Sequence, residues 1–532
     1  MAGMNAALSI ADQGFEALLV EKAPRLGGLL NTISVVSHDE NRIKADEIVQ
    51  SMVDRVESHP NIKAYMNTEI DAIQGYIGNY KVTLKVNGSK EIMDVSTIIV
   101  ATGMQEIEPA GLYDYEGNPS VVTQLQLEGL INRNEVSGIR DVVMINCVNS
   151  KNEARGCCNI GCHISVKNAL ALKEQNRDIR VSILYRDLSM VKDEQIHLQA
   201  AKKVGIKFIR FPDEHYPELS SKDGQLAVRV HDILADKGFA IHADLLVLTT
   251  GFKGEDSTEQ IKGQLKVSTN SDGFFQEAHV KLGPLDFPSK GISLCGCARS
   301  PKNLKESCEE GIGAAMRVST PMKQGYVEAD GIVADIDLKD CNNCGLCYKR
   351  CPFSAIQLDS EERPSVIKAL CKGCGLCAAD CPKECVHIVH YADDQLLAQV
   401  EAALENDSEK KILGFVCHWC ALGGVDMAGV SRLQYPPNAR LIRVMCSARV
   451  PTKLIERAFD LGAGGVLVAG CEFPTCHYIT GNYACESRLK RARKRLARKG
   501  YDPERLWNVW CSAADGPKFA TVMKDMVGQL GL

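Results

Sequence analysis

The chain has 532 residues, with 62 Lys and Arg against 67 Asp and Glu, for a net charge of −5. That length suits roughly three or four domains, each with its own core, and the mildly acidic balance argues against a nucleic-acid binder. No apolar run approaches the roughly 20 residues that a membrane-crossing helix needs. The 23 cysteines fall at ligand spacings and no signal peptide opens the chain, so the expected compartment is the cytoplasm.

Taken in chain order, Asn5 to Gly14 is a small-residue, apolar helical stretch, and Ala17 to Glu21 is a buried strand ending on an acidic residue. This is the second half of a Rossmann unit, in which Glu21 is placed to hydrogen-bond the ribose of a bound dinucleotide. The opening Met1-Ala2-Gly3-Met4 retains only the last glycine of a GxGxxG turn, Gly3, so a misplaced start or a truncation is expected, with the first strand and glycine loop missing. Ile62 to Val86 alternates as small antiparallel strands do. Thr97 to Gly103 (TIIVATG) and Leu245 to Phe252 (LLVLTTGF) are apolar strands ending in Thr-Gly turns, which puts Thr102, Gly103 and Gly251 at a dinucleotide site. Gly291 to Cys297 is a further strand and turn before a helix from about Leu304 to Met316, with Gly296-Cys297 where flavoproteins place Gly-Asp beside the flavin pyrophosphate. Three such turns in order, together with Glu21, point to FAD.

The strand Asp141 to Asn146 needs a glycine-rich phosphate loop after it if it is to hold NAD(P)H. The chain instead places Cys147 there, then Cys157-Cys158 and Cys162-His163. Four thiols within sixteen positions read as a [4Fe–4S] site near the flavin, with Cys147, Cys158 and Cys162 as ligands and Cys157 or His163 as the fourth. Cys295, Cys297 and Cys308 carry less signal and read as structural, with Cys297 near the flavin.

Cys341-x2-Cys344-x2-Cys347-x3-Cys351-Pro352 and Cys371-x2-Cys374-x2-Cys377-x3-Cys381-Pro382 have the spacing of a two-cluster ferredoxin, in which the fourth cysteine of each run ligates the other cluster. Zinc wants two pairs of ligands and does not explain this repeat. An acidic stretch, Asp393 to Lys410, reads as a mobile linker. Beyond it, Cys417 and Cys420, Cys446, and Cys471 and Cys476 each end an apolar strand, so five thiols gather at one edge of a small parallel sheet and compete for four ligand places. Zinc is the alternative occupant there. Arg488 to Lys499 (RLKRARKRLARK) reads as a helix with a solvated basic face, then as a dock for an acidic partner or anionic lipid.

Several of these residues carry a resemblance. Glu21-Lys22 followed by Arg25-Leu26-Gly27-Gly28, the ATG turn, the Cys147 to Cys162 constellation, the GCARSPK segment and the ferredoxin runs resemble the A-type flavoprotein subunit of heterodisulfide reductase over about residues 1 to 395. That family ends its flavin-side cluster motif in C-x3-C-C, where this chain has Cys158-x3-Cys162-His163. It also carries an inserted ferredoxin, whereas Asn31 to Val95 holds no cysteine, which weakens the expectation of bifurcation. Residues 411–532 resemble the delta subunit of methyl-viologen-reducing hydrogenase, which implies a [2Fe–2S] cluster. The fusion resembles the B-type subunit of the quinone-interacting membrane-bound oxidoreductase.

The expected fold is therefore α/β: a Rossmann-type two-domain flavoprotein with an α+β two-cluster ferredoxin domain and a small C-terminal α/β iron–sulfur domain. The expected divisions are 1–135 with 240–325 for FAD, bound through Gly3, Glu21, Lys22, Gly27, Gly28, Thr102, Gly103, Gly251, Gly296 and Cys297; 136–239 for a second nucleotide-type domain; 326–395 for the ferredoxin; 396–410 for the linker; and 411–532 for the last domain. The resemblance implies an electron-transfer subunit with FAD, three [4Fe–4S] clusters and one [2Fe–2S] cluster. Its implied place is the inner face of the membrane, between soluble adenylylsulfate reductase and a quinone-reactive membrane subunit. The alternative is a bifurcating subunit working with other heterodisulfide reductase subunits.

Overall fold

The computed structural model describes residues 1–38, 41–86, 88–190, 194–222, 225–280, 282–328 and 330–532. Its first helix, Ala2–Ala11, is built from small and apolar residues that are nearly all buried. It lies against the long helix Leu304–Gln324, which is started by a capping box between Asn303 and Glu306. Gly311 permits the approach, since a Cβ there would fall on the Ala2 carbonyl, and Gly296 sits where a Cβ would come 2.7 Å from the Ala2 Cβ.

Two parallel strand pairs flank the first helix, Ala17–Val20 with Ile62–Tyr65 and Ile98–Val100 with Ile292–Leu294. They form separate two-stranded sheets. A three-stranded antiparallel meander, Thr68–Gln74, Tyr80–Val86 and Ser89–Val95, covers one side.

The second unit is a five-stranded parallel sheet in the order Val121–Thr123, Leu245–Thr250, Asp141–Val148, Arg180–Tyr185 and Lys207–Arg210. The strand Leu245–Thr250 was expected in the flavin unit. It instead pairs with Asp141–Val148 from Val142↔Leu245 onward, because its six residues are all buried and a strand apolar on both faces needs a central place in a sheet covered on both sides.

Each ferredoxin half has a glycine in the left-handed region, Gly345 (φ 68°) or Gly375 (φ 80°), opening a one-turn helix, Leu346–Arg350 or Leu376–Asp380. Short antiparallel pairs, Ala334–Ile336 with Val386–Ile388 and Ile356–Leu358 with Pro364–Val366, complete the two halves. The last unit is a four-stranded parallel sheet in the order Ala439–Val444, Ile412–Cys417, Gly465–Cys471, Leu506–Cys511.

One apolar core runs without a break from Val333 in the ferredoxin to Met526 in the last helix. The mobile linker expected over 396–410 is accordingly absent. Asp393–Ala403 is a helix whose Leu396 and Val400, four residues apart, are fully buried, while Asp393 at its start pairs with Arg449 at 2.6 Å and Lys453 at 2.7 Å. The acidic composition belongs to its outer face. The basic run also differs from expectation, because Arg488 in the helix Gly481–Arg498 turns inward to the Ala448 carbonyl (2.7 Å) and Asp380 (2.5 Å). Arg491, Lys494 and Arg498 remain exposed. No helix among the described residues is long and apolar enough to cross a membrane.

Candidate functional site

A cleft of about 1210 Å³ opens at the end of the first helix, larger than the roughly 300–1,000 Å³ of an ordinary small-ligand pocket. Gly3, Glu21, Lys22, Gly27, Gly28, Thr102, Gly103 and Cys297 all line it. Gly27 (φ 117°) and Gly28 (φ 57°) take left-handed conformations that fold the loop after Glu21 onto the cleft. Glu21 accepts a hydrogen bond from the Ala23 amide at 2.9 Å, and Lys22 pairs with Glu255 at 2.7 Å. The Thr102 hydroxyl is buried without a hydrogen-bond partner. An orphaned donor on the wall of an elongated, glycine-rimmed cleft fits a dinucleotide ligand such as FAD. The cleft also runs between the strands Ala17–Val20 and Ile98–Val100.

Gly251 and Gly296 lie off this wall, contrary to expectation. A Cβ on Gly251 would meet Ser150 at 3.3 Å and Ile107 at 3.4 Å, so that glycine admits the thiol-bearing loop. Gly296 is required by its close approach to Ala2.

One end of the cleft is polar and buried, and no sequence pattern marks it. Glu106 accepts from the Thr123 hydroxyl and, at 3.3 Å, from the Leu125 amide; burial, with a small addition from Glu128, raises its carboxyl to about 7. Glu128 accepts from the Ser34 amide (2.9 Å) and hydroxyl (2.6 Å) and pairs with Lys167. Burial lowers the Lys167 ammonium despite that partner. These contacts join residues 17 to 94 positions apart, a separation with no local pattern.

Cys147, one residue before the end of the strand Asp141–Val148, takes the left-handed region (φ 63°), and Cys162 lies in the first turn of the helix Gly161–Gln175. Burial raises the Cys147 thiol to about 11, with Cys162 and Cys157 adding to the effect. A hydrogen bond between the adjacent thiols lowers Cys157 and raises Cys158. Gly161 leaves room for this group, since a Cβ there would sit 2.7 Å from the Cys158 Sγ. His163 points toward the cleft. Burial lowers it to about 4, its Nδ1 has no hydrogen bond, and the Glu194 carboxylate is 3.7 Å away.

In the ferredoxin, burial raises the Cys347 thiol, and Cys341, Cys344 and Cys381 reinforce the shift. Those four line one small cavity. Burial likewise raises Cys377 well up, with Cys374, Cys371 and Cys351 among its neighbours. Cys381 thus lies with the thiols of the first run, and Cys351 is among the neighbours of the second. Burial raises Cys374 to about 12, and its neighbours include Cys351, Cys371 and, across the domain boundary, Cys476.

The five thiols of the last unit also converge. Cys417 and Cys471 are 3.8 Å apart; Cys471 further contacts Cys420 and Cys476, and Cys476 contacts Cys446. Trp419 stacks on His477 with ring centroids 3.8 Å apart and donates to the Tyr478 hydroxyl at 2.8 Å. The Ser268 hydroxyl of the flavoprotein part donates to the Cys476 carbonyl at 2.5 Å. Among the described residues no three His, Cys, Asp or Glu side chains close around a single metal ion, so the case for iron–sulfur ligation rests on spacing and on the gathering of thiols into sets.

Comparison with known proteins finds three family models along the chain. Residues 1–280 match the family model for pyridine nucleotide-disulphide oxidoreductase, 334–388 the 4Fe-4S dicluster domain, and 412–531 the methyl-viologen-reducing hydrogenase, delta subunit. The A-type subunit of the ferredoxin/F420H2-dependent CoB-CoM heterodisulfide reductase of Methanosarcina acetivorans is 29% identical, over 100% of this chain and 78% of its own length. An A-type iron-sulfur subunit of the CoB--CoM heterodisulfide reductase of Methanopyrus kandleri is 31% identical over 77% of each chain. Among solved structures, T. acidophilum thioredoxin reductase aligns at a TM-score of 0.43 and 18% identity, over 60% of this chain and 95% of its own.

Proposed function

The chain belongs to the family of A-type heterodisulfide reductase subunits, oxidoreductase components with FAD and [4Fe–4S] clusters, and from that premise we propose that it conducts electrons within a heterodisulfide reductase complex. The observation that carries this reading is the packing of the second ferredoxin turn on the Cys446 turn: a Cβ on Gly375, next to Cys374, would fall on the Arg449 side chain, and Arg488 bridges the Ala448 carbonyl and Asp380. It brings the second ferredoxin site against the site of the C-terminal unit, with no spacer between two domains that share one core.

FAD held in the cleft by Gly3, Glu21, Gly27, Gly28, Thr102 and Gly103 exchanges electrons in pairs, while iron–sulfur clusters take them singly. The chain's own residues supply positioning and insulation. Cys147, Cys157, Cys158 and Cys162 hold a cluster where a nicotinamide cofactor docks in other two-domain flavoproteins. Cys341, Cys344, Cys347 and Cys381 hold the first ferredoxin cluster, and Cys371, Cys374, Cys377 and Cys351 the second. Four of Cys417, Cys420, Cys446, Cys471 and Cys476 hold a [2Fe–2S] cluster that meets the redox partner. The second unit takes in Val121–Thr123 and Leu245–Thr250 as well as 136–239, the flavin unit the remainder of 1–325, the ferredoxin 326–395 and the last unit 411–532.

The second reading is a relay between adenylylsulfate reductase and a quinone-reactive membrane subunit, favoured by the lack of cysteine from Asn31 to Val95. Fusion to the hydrogenase-type domain does not favour it, because the Methanosarcina acetivorans protein matches this chain along its whole length, that domain included. The test is the complex purified anaerobically through this chain. Reduction of CoB–CoM heterodisulfide that stops when the chain is removed supports the first reading. Electron delivery to a quinone analogue, with none to heterodisulfide, overturns it.

A further inference from the structure

The two ferredoxin halves repeat one turn with one difference. Cys351-Pro-Phe-Ser-Ala355 and Cys381-Pro-Lys-Glu-Cys385 fold alike: the Ser354 amide donates to the Cys351 carbonyl at 3.3 Å and the Glu384 amide to the Cys381 carbonyl at 3.2 Å, and Ser354 (φ 49°) and Glu384 (φ 54°) both take the left-handed conformation. Residues 355 and 385 are both buried, 1% and 4% exposed. Alanine therefore satisfies this position for packing, as Ala355 demonstrates, and a buried cysteine acting only as a small apolar residue would gain nothing from its thiol.

The Cys385 Sγ lies 3.5 Å from the Cys381 Sγ. Cys341 is also among its electrostatic neighbours, and it lines the same small cavity as Cys341, Cys344, Cys347 and Cys381. It is a fifth thiol in a set that needs four. We propose that Cys385 is an alternative fourth ligand of the first ferredoxin cluster, able to take the corner held by Cys381. The exchange moves no electrons. Cys385 gives up its thiol proton on binding iron, Cys381 takes one on leaving, and the number of iron–sulfur bonds is unchanged. The second cluster has no such reserve, because Ala355 stands beside Cys351.

This inference rests on the two-cluster reading of residues 334–388, and the internal repeat separates the two. Cys351→Ala, Cys381→Ala, Cys385→Ala and the double variant Cys381→Ala/Cys385→Ala are made in the full chain and purified anaerobically, then compared by iron content and by electron paramagnetic resonance after dithionite reduction. The expected result is full iron in Cys381→Ala with shifted g-values, full iron in Cys385→Ala with an unchanged spectrum, and loss of about four iron atoms in the double variant and in Cys351→Ala, the content of one cubane. If Cys381→Ala loses as much iron as the double variant, the inference is wrong while the two-cluster reading stands. If the unsubstituted chain gives no iron signal, the reading itself falls. Should Cys381→Ala fail to fold, Cys381→Ser with and without Cys385→Ala carries the comparison, and equal iron in that pair overturns the inference.

Discussion

Replacement of Glu106 by glutamine tests the buried end of the cleft quantitatively. The Glu106 carboxyl is raised from 4.5 to about 7, first by burial, so the folded protein holds this proton at pH values where the unfolded chain has lost it. Stability therefore falls as pH rises from about 4.5 to about 7 and levels off above, and the displacement corresponds to about 3 kcal/mol. Glutamine keeps the shape, its carbonyl can accept from the Leu125 amide, and its amide can donate to the Thr123 hydroxyl. Glu106→Gln should thus match the native chain near about pH 4 and protect its surroundings by about 3 kcal/mol more near about pH 8. Hydrogen–deuterium exchange of peptides covering residues 104–132, corrected for intrinsic rates, reads this locally in a multidomain chain. Parallel pH profiles for the two proteins would refute the claim that burial holds the proton.

Thr102→Val removes the orphaned hydroxyl on the cleft wall and should weaken flavin retention about fivefold, the worth of one hydrogen bond of about 1 kcal/mol; equilibrium dialysis against FAD checks it. Gly481→Ala puts a Cβ well inside contact distance of the Cys446 Sγ and 3.3 Å from that of Cys476, so iron should fall by about two atoms per chain while the ferredoxin signals persist. Arg449→Met strips the Tyr391 carbonyl of two donors, at 3.0 and 2.7 Å, and Asp393 of one of its two cations. Limited proteolysis within 393–411 should speed up by an amount reflecting about 2–4 kcal/mol of lost local stability.

The features legible in the sequence are those that depend on short spacing. The two ferredoxin runs fix their thiols within eleven residues each, and the Rossmann half is marked by an apolar strand ending in Glu21 with a glycine pair six residues on. A glycine after a strand is less informative, because cofactor approach and close packing demand the same residue. Gly251 and Gly296 serve packing, and only the positions of Ser150 and Ala2 reveal it. The stretch after Asp393 misleads by composition, since Asp393, Asp394 and Glu401 hide the Leu396 and Val400 pair that seals a core shared by two domains. Glu106, Glu128 and Lys167 leave no local trace, because each finds its partner from another element. Cys385 stands out only when one ferredoxin half is laid over the other.

Iron, acid-labile sulfide and flavin content of the anaerobically purified chain tests the central claim most directly. The expected result is one FAD and about fourteen iron atoms, four in each of three cubanes and two in the last site, matched by sulfide. A colourless protein carrying stoichiometric zinc, without sulfide or flavin, would contradict it.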